Sequence, residues 1–269
     1  MKLAVQLTRI PGRDTTDKTK WAKDHGAEGI ELIAASNDTL HAHAEAMRGM
    51  LPVSSVCGNA DDRGADSFDF LNVDRNKRRA SLDHSRRILG FCGQVGAVGQ
   101  IVPPHLFGQR MPDFSPAISP DDLAQRLMVA MVKELGDHAA ECKTRLLLEP
   151  LNRYEQPYLN RLEQGVGVIE QAGTRGAALL ADLFHMHIEE TSTPEAFRAA
   201  GKHVAHLHLA DNTRKQPGTG DIDFAAAFAA LKAIGFKGYM AYECGITGDN
   251  DDQRRTNLAK SLAFLRECM

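Results

Sequence analysis

"LLLEPLNRYE", residues 146–155, decides how the rest of the chain is read. Strand-like residues run without a break into Glu149, then into Pro150 and an Asn-Arg-Tyr-Glu segment that ends on a second acid, Glu155. A carboxylate at the end of a buried run either caps a structure or performs chemistry. Other runs of the same kind can separate the two.

Seven more stretches share the pattern: "LAVQL" (3–7), "GIELI" (29–33), "VSSVC" (53–57), "QIVP" (100–103), "AALLAD" (177–182), "VAHLHLA" (204–210) and "YMAYE" (239–243). Segments of helical period separate them. In 121–143, Leu123, Leu127, Met131 and Leu135 recur every four residues, so one face is apolar, with Asp121 or Asp122 as the expected cap. An Ala-rich helix is expected from Asp223, stopping at Gly235. Strand–helix alternation implies parallel strands joined by right-handed crossovers. Eight such units favour a closed (β/α)8 TIM barrel over a doubly wound sheet. No linker or composition break interrupts the chain, so residues 1–269 read as one domain. That length is ordinary for such a barrel, which takes about 250 residues.

Composition narrows the function. The net charge is −3, which gives no attraction to nucleic acid or an anionic membrane. The basic run "RNKRRASLDHSRR" (75–87) is therefore read as an exposed helix face. There is no apolar run of about 18 residues, the length a membrane span needs. The five cysteines are scattered, with no Cys-x-x-Cys, as expected for reduced thiols in a cytoplasmic protein without a thiolate zinc site.

In parallel barrels, reactive groups collect where the strands end. If Glu149 is functional, other late strands should end on similar residues. Strand six ends on Asp182 in "ADLFHMHIEE", strand seven carries His208 in "HLHLADNTR", and strand eight delivers Glu243 in "YMAYEC". Each sits near the end of an apolar run, where a lone buried charge is costly. A divalent cation at their convergence would remove that cost. Three carboxylates and one imidazole suit Mn2+ first, then Mg2+ or Co2+.

Such a cation acidifies the hydrogen next to a substrate carbonyl and stabilises an enediolate. Glu149 and Glu243, on strands five and eight, are placed to approach a substrate from opposite faces as acid and base. Two bases invert a stereocentre; one base isomerises an aldose and a ketose. His185, Arg214 and Glu155 are expected on the same rim, where they would bind and orient a polyol. His206, two residues before His208 on the same strand face, is read as a supporting or packing histidine, and His187 as loop surface.

The stretches "LEPLNRYE", "DLFHMHIEE", "HLHLADNTRKQPGTGDIDF" and "YEC" resemble the xylose-isomerase-like superfamily, and within it the D-tagatose/D-psicose 3-epimerase group. The resemblance implies a metal at Glu149, Asp182, His208 and Glu243, with the two glutamates as acid/base. It implies substrate contacts from Glu155, His185 and Arg214, a homodimer or homotetramer, and C3 epimerisation of a ketose or related keto-sugar. The chain departs from the group in having one tryptophan, Trp21, and in offering Phe107 but no Trp after strand four. That leaves a shorter or oxidised substrate open, including a keto-acid. Competing expectations are an isomerase of a hydroxypyruvate-like acid and an inosose-type dehydratase. A phosphodiester hydrolase resembling endonuclease IV stands behind these, because no histidine follows in "NTRKQPGTGDIDF". Loops 58–69 and 104–116 rise on the same rim and are the expected lids.

Overall fold

A computed structural model describes residues 1–58, 69–104 and 110–269. Residues 59–68, most of the first expected lid, and residues 105–109 of the second, with Phe107, lie outside the described residues.

Eight parallel strands close into a barrel in sequence order, each hydrogen-bonded to the next and β8 to β1. They are β1 Lys2–Gln6, β2 Gly29–Ile33, β3 Val53–Cys57, β4 Gly99–Val102, β5 Arg145–Leu148, β6 Ala177–Asp182, β7 Val204–Leu209 and β8 Tyr239–Tyr242. All eight coincide with the strands read from sequence, to within a residue or two at their ends. The helices are α1 Thr15–Asp24, α2 Asn37–Ala46, α3 Arg75–Val95, α4 Pro120–Glu141, α5 Leu162–Ala172, α6 Leu183–Glu189, α7 Thr193–Ala200, α8 Phe224–Ala233 and α9 Asp251–Cys268.

Period-two alternation sorts each strand into two sets. Leu146 and Leu148 of β5 join the large core between barrel and helices, whereas Leu147 joins a separate cluster with Ile101, Ala178, Leu180 and Cys57. By the same parity Glu149, one residue beyond Leu148, turns into the barrel. Asp182 follows Leu180 in the same way, and the pairing of Asp182 with His208 across β6 and β7 puts both at one level.

Caps start the helices at the rim where the strands end. Ser119, not Asp121 or Asp122, caps α4: its Oγ accepts from the Asp122 N–H at 3.1 Å, with Pro120 in the first turn. The two aspartates instead occupy the first turn, where their charge complements the helix dipole. The buried stripe of α4 runs through Ala124, Met128, Met131 and Leu135, with Leu123 and Leu127 at its edge. Asp223 caps α8, and Gly235 follows it with φ +73°, as the sequence suggests. All five cysteines are free. Among the described residues, no helix is long and apolar enough to cross a membrane.

Candidate metal centre and active site

His208 organises the site. Its Nδ1 faces Glu243 Oε2 at 3.2 Å, Glu149 Oε1 at 3.3 Å and Asp182 Oδ2 at 3.7 Å. One ligand atom from each of these four residues lies within 4.8 Å of all the others. Asp182 does two jobs: Oδ1 caps α6, accepting from the N–H groups of Phe184 (2.8 Å) and His185 (3.3 Å), which leaves Oδ2 for the cluster.

The opposite edge of the His208 ring is also engaged. Nε2 lies 3.1 Å from Glu31 Oε1. Glu31 is wholly buried in the middle of β2 and takes four hydrogen bonds. Gln6 Nε2 (3.1 Å) joins His208 on Oε1, and Ser55 Oγ (2.7 Å) joins His206 Nε2 (3.1 Å) on Oε2. Gln6, Glu31 and Ser55 are register partners across β1, β2 and β3, so they form one polar row inside the barrel.

The charges are strongly coupled. Burial pushes the Glu149 carboxyl up, and the Glu243 and Asp182 charges push the same way. Burial also opposes ionisation of Asp182, but the Arg214 guanidinium, with His185 and His208, holds it at about 2. Glu243 likewise stays below the usual range despite burial, held there by His208 and Arg214. For His208, burial disfavours the cation, yet the Glu243 and Glu31 charges raise it well above an ordinary histidine. Arg214 donates to Asp182 Oδ2 at 2.7 Å and to Glu243 Oε2, and it lies over the Phe184 ring at 4.7 Å.

This donor set fits a divalent cation. Four buried or nearly buried carboxylates, Glu31 included, outnumber the one guanidinium beside them. Cys57 Sγ also lies close, 3.4 Å from Glu243 Oε1. Burial and the neighbouring Glu243 charge push its thiol well up.

The expected substrate-binding residues come in around this cluster. His185 is 2% exposed, and its Nε2 lies 3.8 Å from Asp182 Oδ2. Its Nδ1 accepts from the Asn152 backbone N–H at 3.2 Å, so the proton sits on Nε2 and His185 faces the site as a donor. Glu155 packs on the other edge of that ring, 4.0 Å from Nδ1, and is tied to Asn152 Nδ2 at 2.9 Å. Arg214 has φ +57° at the turn after β7. His206 is buried and hydrogen-bonded to Glu31, as a supporting histidine should be. His187 is on α6 rather than a loop, with Nε2 3.5 Å from Asp221.

Glu31, Gln6, Ser55, Asn152 and Asp211 were not singled out from the sequence. The available signal for Glu31 was an acid in the centre of "GIELI", a run that parallel barrels bury on both faces. A cavity of about 650 Å³ opens at the opposite end of the barrel, edged by Lys143, Arg145, Arg175, Lys202 and Lys237. Cations there offset the carboxyl ends of helices, and no acidic residue is among the described residues of its lining.

Comparison with known proteins agrees with this geometry. The model of the xylose isomerase-like TIM barrel family matches residues 19–268. The 3-dehydro-D-guloside 4-epimerase of Escherichia coli K12 is 31% identical over 274 residues, covering 100% of both chains. The crystal structure of the 3-keto-D-glucoside 4-epimerase from E. coli superposes over 100% of both chains with a TM-score of 0.85 at 28% identity. A D-psicose 3-epimerase from Enterocloster bolteae is 33% identical over 162 residues, 59% of this chain and 54% of that protein. A sheet closed in sequence order, carboxylates at the ends of its late strands and a family match along nearly the whole chain agree: the protein belongs to the xylose isomerase-like TIM barrel family.

Proposed function

We propose that this protein is a metal-dependent carbohydrate epimerase that inverts a hydroxyl-bearing carbon next to a ketone. The observation that carries the reading is the placement of two glutamates, Glu149 after β5 and Glu243 after β8, each beside Nδ1 of the same histidine. Both E. coli relatives are named as 4-epimerases of a keto-glycoside, and the E. bolteae relative as a ketose 3-epimerase. In each name the inverted carbon adjoins the carbonyl of a keto-sugar, and that shared feature is assigned here as the substrate class.

Glu149, Asp182, His208 and Glu243 would hold the cation, with Mn2+ ahead of Mg2+ and Co2+ for three carboxylates and one imidazole. A cation so held polarises the substrate carbonyl and makes the adjacent C–H more acidic. The protein's own groups move the protons. Glu149 Oε2 makes no hydrogen bond to a described residue and is available as one base. Glu243 has Oε1 steadied by Gln6 (3.5 Å) and Cys57 (3.4 Å), and acts from the other strand. One carboxylate takes the carbon-bound proton and the other returns one to the opposite face, which inverts the centre. His185 donates from Nε2 to a substrate oxygen. Arg214 supplies a guanidinium for the hydroxyls, and Glu155 steadies the far end of the sugar.

The test is solvent-deuterium incorporation by the Mn2+-loaded protein, followed by mass spectrometry and NMR. Keto-glycosides, ketohexoses, ketopentoses and hydroxypyruvate are offered to wild type, Glu149→Gln and Glu243→Gln. Deuterium at the carbon beside the ketone, with inversion, lost in both variants, is the expected result. Exchange at a terminal carbon instead identifies an aldose–ketose isomerase, and loss of water a dehydratase. A metal-loaded protein that exchanges no hydrogen on any of these compounds refutes the proposal.

A further inference from the structure

We propose that Glu31 is a positioning residue that determines which nitrogen of His208 is offered to the cation. Its carboxylate holds a proton on Nε2, so that Nδ1, directed at Glu149, Asp182 and Glu243, is the nitrogen left to a cation. The inference rests on the reading of those four residues as a cation site.

A neutral imidazole carries one N–H, and a metal ligand must present the other nitrogen unprotonated. For His208 the neighbours decide. Glu31 Oε1 lies 3.1 Å from Nε2, and an ionised carboxylate can only accept, so that nitrogen bears the hydrogen. The three other carboxylates all lie on the Nδ1 side, at 3.2, 3.3 and 3.7 Å. A histidine held between carboxylates on both edges has no tautomeric preference of its own; the edge whose anion cannot be exchanged for a cation sets it.

Glu31 is that edge. It is 0% exposed, and four donors from three strands occupy its two oxygens: Gln6 and His208 on Oε1, Ser55 and His206 on Oε2. No lone pair remains for a metal. Glu31, His206 and His208 also form a compact trio of potential ligands, but the Nε2 that donates to Glu31 cannot bind a metal as well. The trio therefore supports the one centre and does not make a second. His206 is in the same tautomer: its Nε2 donates to Glu31, and its Nδ1 is buried with no hydrogen-bond partner among the described residues. An unpaired buried acceptor is the cost of giving the carboxylate its fourth donor.

The experiment combines a measurement on wild type with one variant. In the 15N-histidine-labelled wild type loaded with diamagnetic Zn2+, NMR should show His208 protonated at Nε2, with Nδ1 unprotonated and shifted by the metal. In Glu31→Gln, the NH2 can face Ser55 and His206, which are able to accept, and the neutral amide oxygen then faces Gln6 and His208, so the charge that fixes the His208 proton on Nε2 is lost. Mn2+ affinity measured by calorimetry should then fall ~10–100-fold, the scale on which partners of metal ligands act. Metal on Nε2 in wild type, or a folded Glu31→Gln protein that binds Mn2+ as tightly as wild type, overturns the proposal alone. A wild type that binds none of Mn2+, Mg2+ or Zn2+ overturns the cation reading, and this inference with it.

Discussion

Asp211→Asn should loosen one loop and leave the barrel intact. Asp211 follows β7, is 1% exposed and organises residues 212–222 through its carboxylate. Oδ2 accepts from the N–H groups of Gly218 (2.9 Å), Thr219 (3.1 Å) and Gly220 (2.9 Å). Oδ1 accepts from Asn212 (2.9 Å) and Ile222 (3.3 Å). The loop is packed hard against this carboxylate: a Cβ on Gly220 would lie 2.4 Å from Oδ1. The loop also carries Arg214, whose φ of +57° is a left-handed conformation that costs a non-glycine residue about 1–2 kcal/mol. That conformation is kept by the Arg214 N–H on Asp211 O and the Asp211 N–H on Lys215 O, both 2.8 Å. In the variant, one amide oxygen can serve the three-donor side, and the NH2 then faces Asn212 and Ile222. Two bonds to a charged acceptor are lost at about 1.5–3 kcal/mol each, and three more lose their charge assistance. Relaxation of the loop into water recovers part of that, leaving roughly 3–6 kcal/mol, or about two to four decades in the opening equilibrium. Native-state hydrogen exchange measures it directly at the amides of Gly218, Thr219 and Gly220. Protection unchanged within about threefold would refute the reasoning, as would an equal loss throughout β5 to β8.

Other expectations follow from close contacts and from the site. Gly176→Ala would put a Cβ 1.9 Å from the Gly136 carbonyl oxygen in α4, so urea unfolding should show a loss of about 3 kcal/mol. Gly90→Ala, inside α3 with no atom of another described element within 4 Å of the new methyl, should instead gain about 0.5–1 kcal/mol in the same assay. Asn152→Ala removes the 2.9 Å tie to Glu155 and the 2.8 Å side-chain contact with His185 Nδ1 but keeps the backbone donor to His185; steady-state kinetics on the accepted keto-sugar should show roughly tenfold lower kcat/KM, carried mainly by KM. Excess Mn2+ at about 1,000 times its Kd should stabilise the fold by about 4 kcal/mol, seen as a rise in melting temperature that chelation reverses.

The fold was legible because every strand is a short apolar run and eight of them alternate with helical segments. The acidic cluster proposed to face a metal was legible for a related reason. Glu149, Asp182 and Glu243 each close an apolar run, so an acid stands where burial should forbid one. A cap explains such an acid equally well in isolation, and Asp182 shows that the alternatives need not compete: one oxygen caps α6 while the other joins the cluster. The cap of α4 was misread because Ser119 lies before Pro120, outside the acidic pair that drew attention.

The supporting half was not legible, and the physical reason is register. Gln6, Glu31 and Ser55 are ordinary residues of β1, β2 and β3, and in each strand period-two parity allows either face. What makes them a unit is the pairing Gln6 with Glu31 and Glu31 with Ser55, set by how parallel strands shear as the barrel closes. His206 and His208 arrive from the far side through β7, more than 170 positions from Glu31, and only closure brings them to its oxygens. Asp211 was missed in the same way, since its partners lie up to eleven residues later on a loop that must fold back. Each proposed late-strand ligand breaks a local apolar pattern, which a sequence displays. Each residue that steadies the ligands acquires its role through closure of the barrel or of a loop, which no local pattern records.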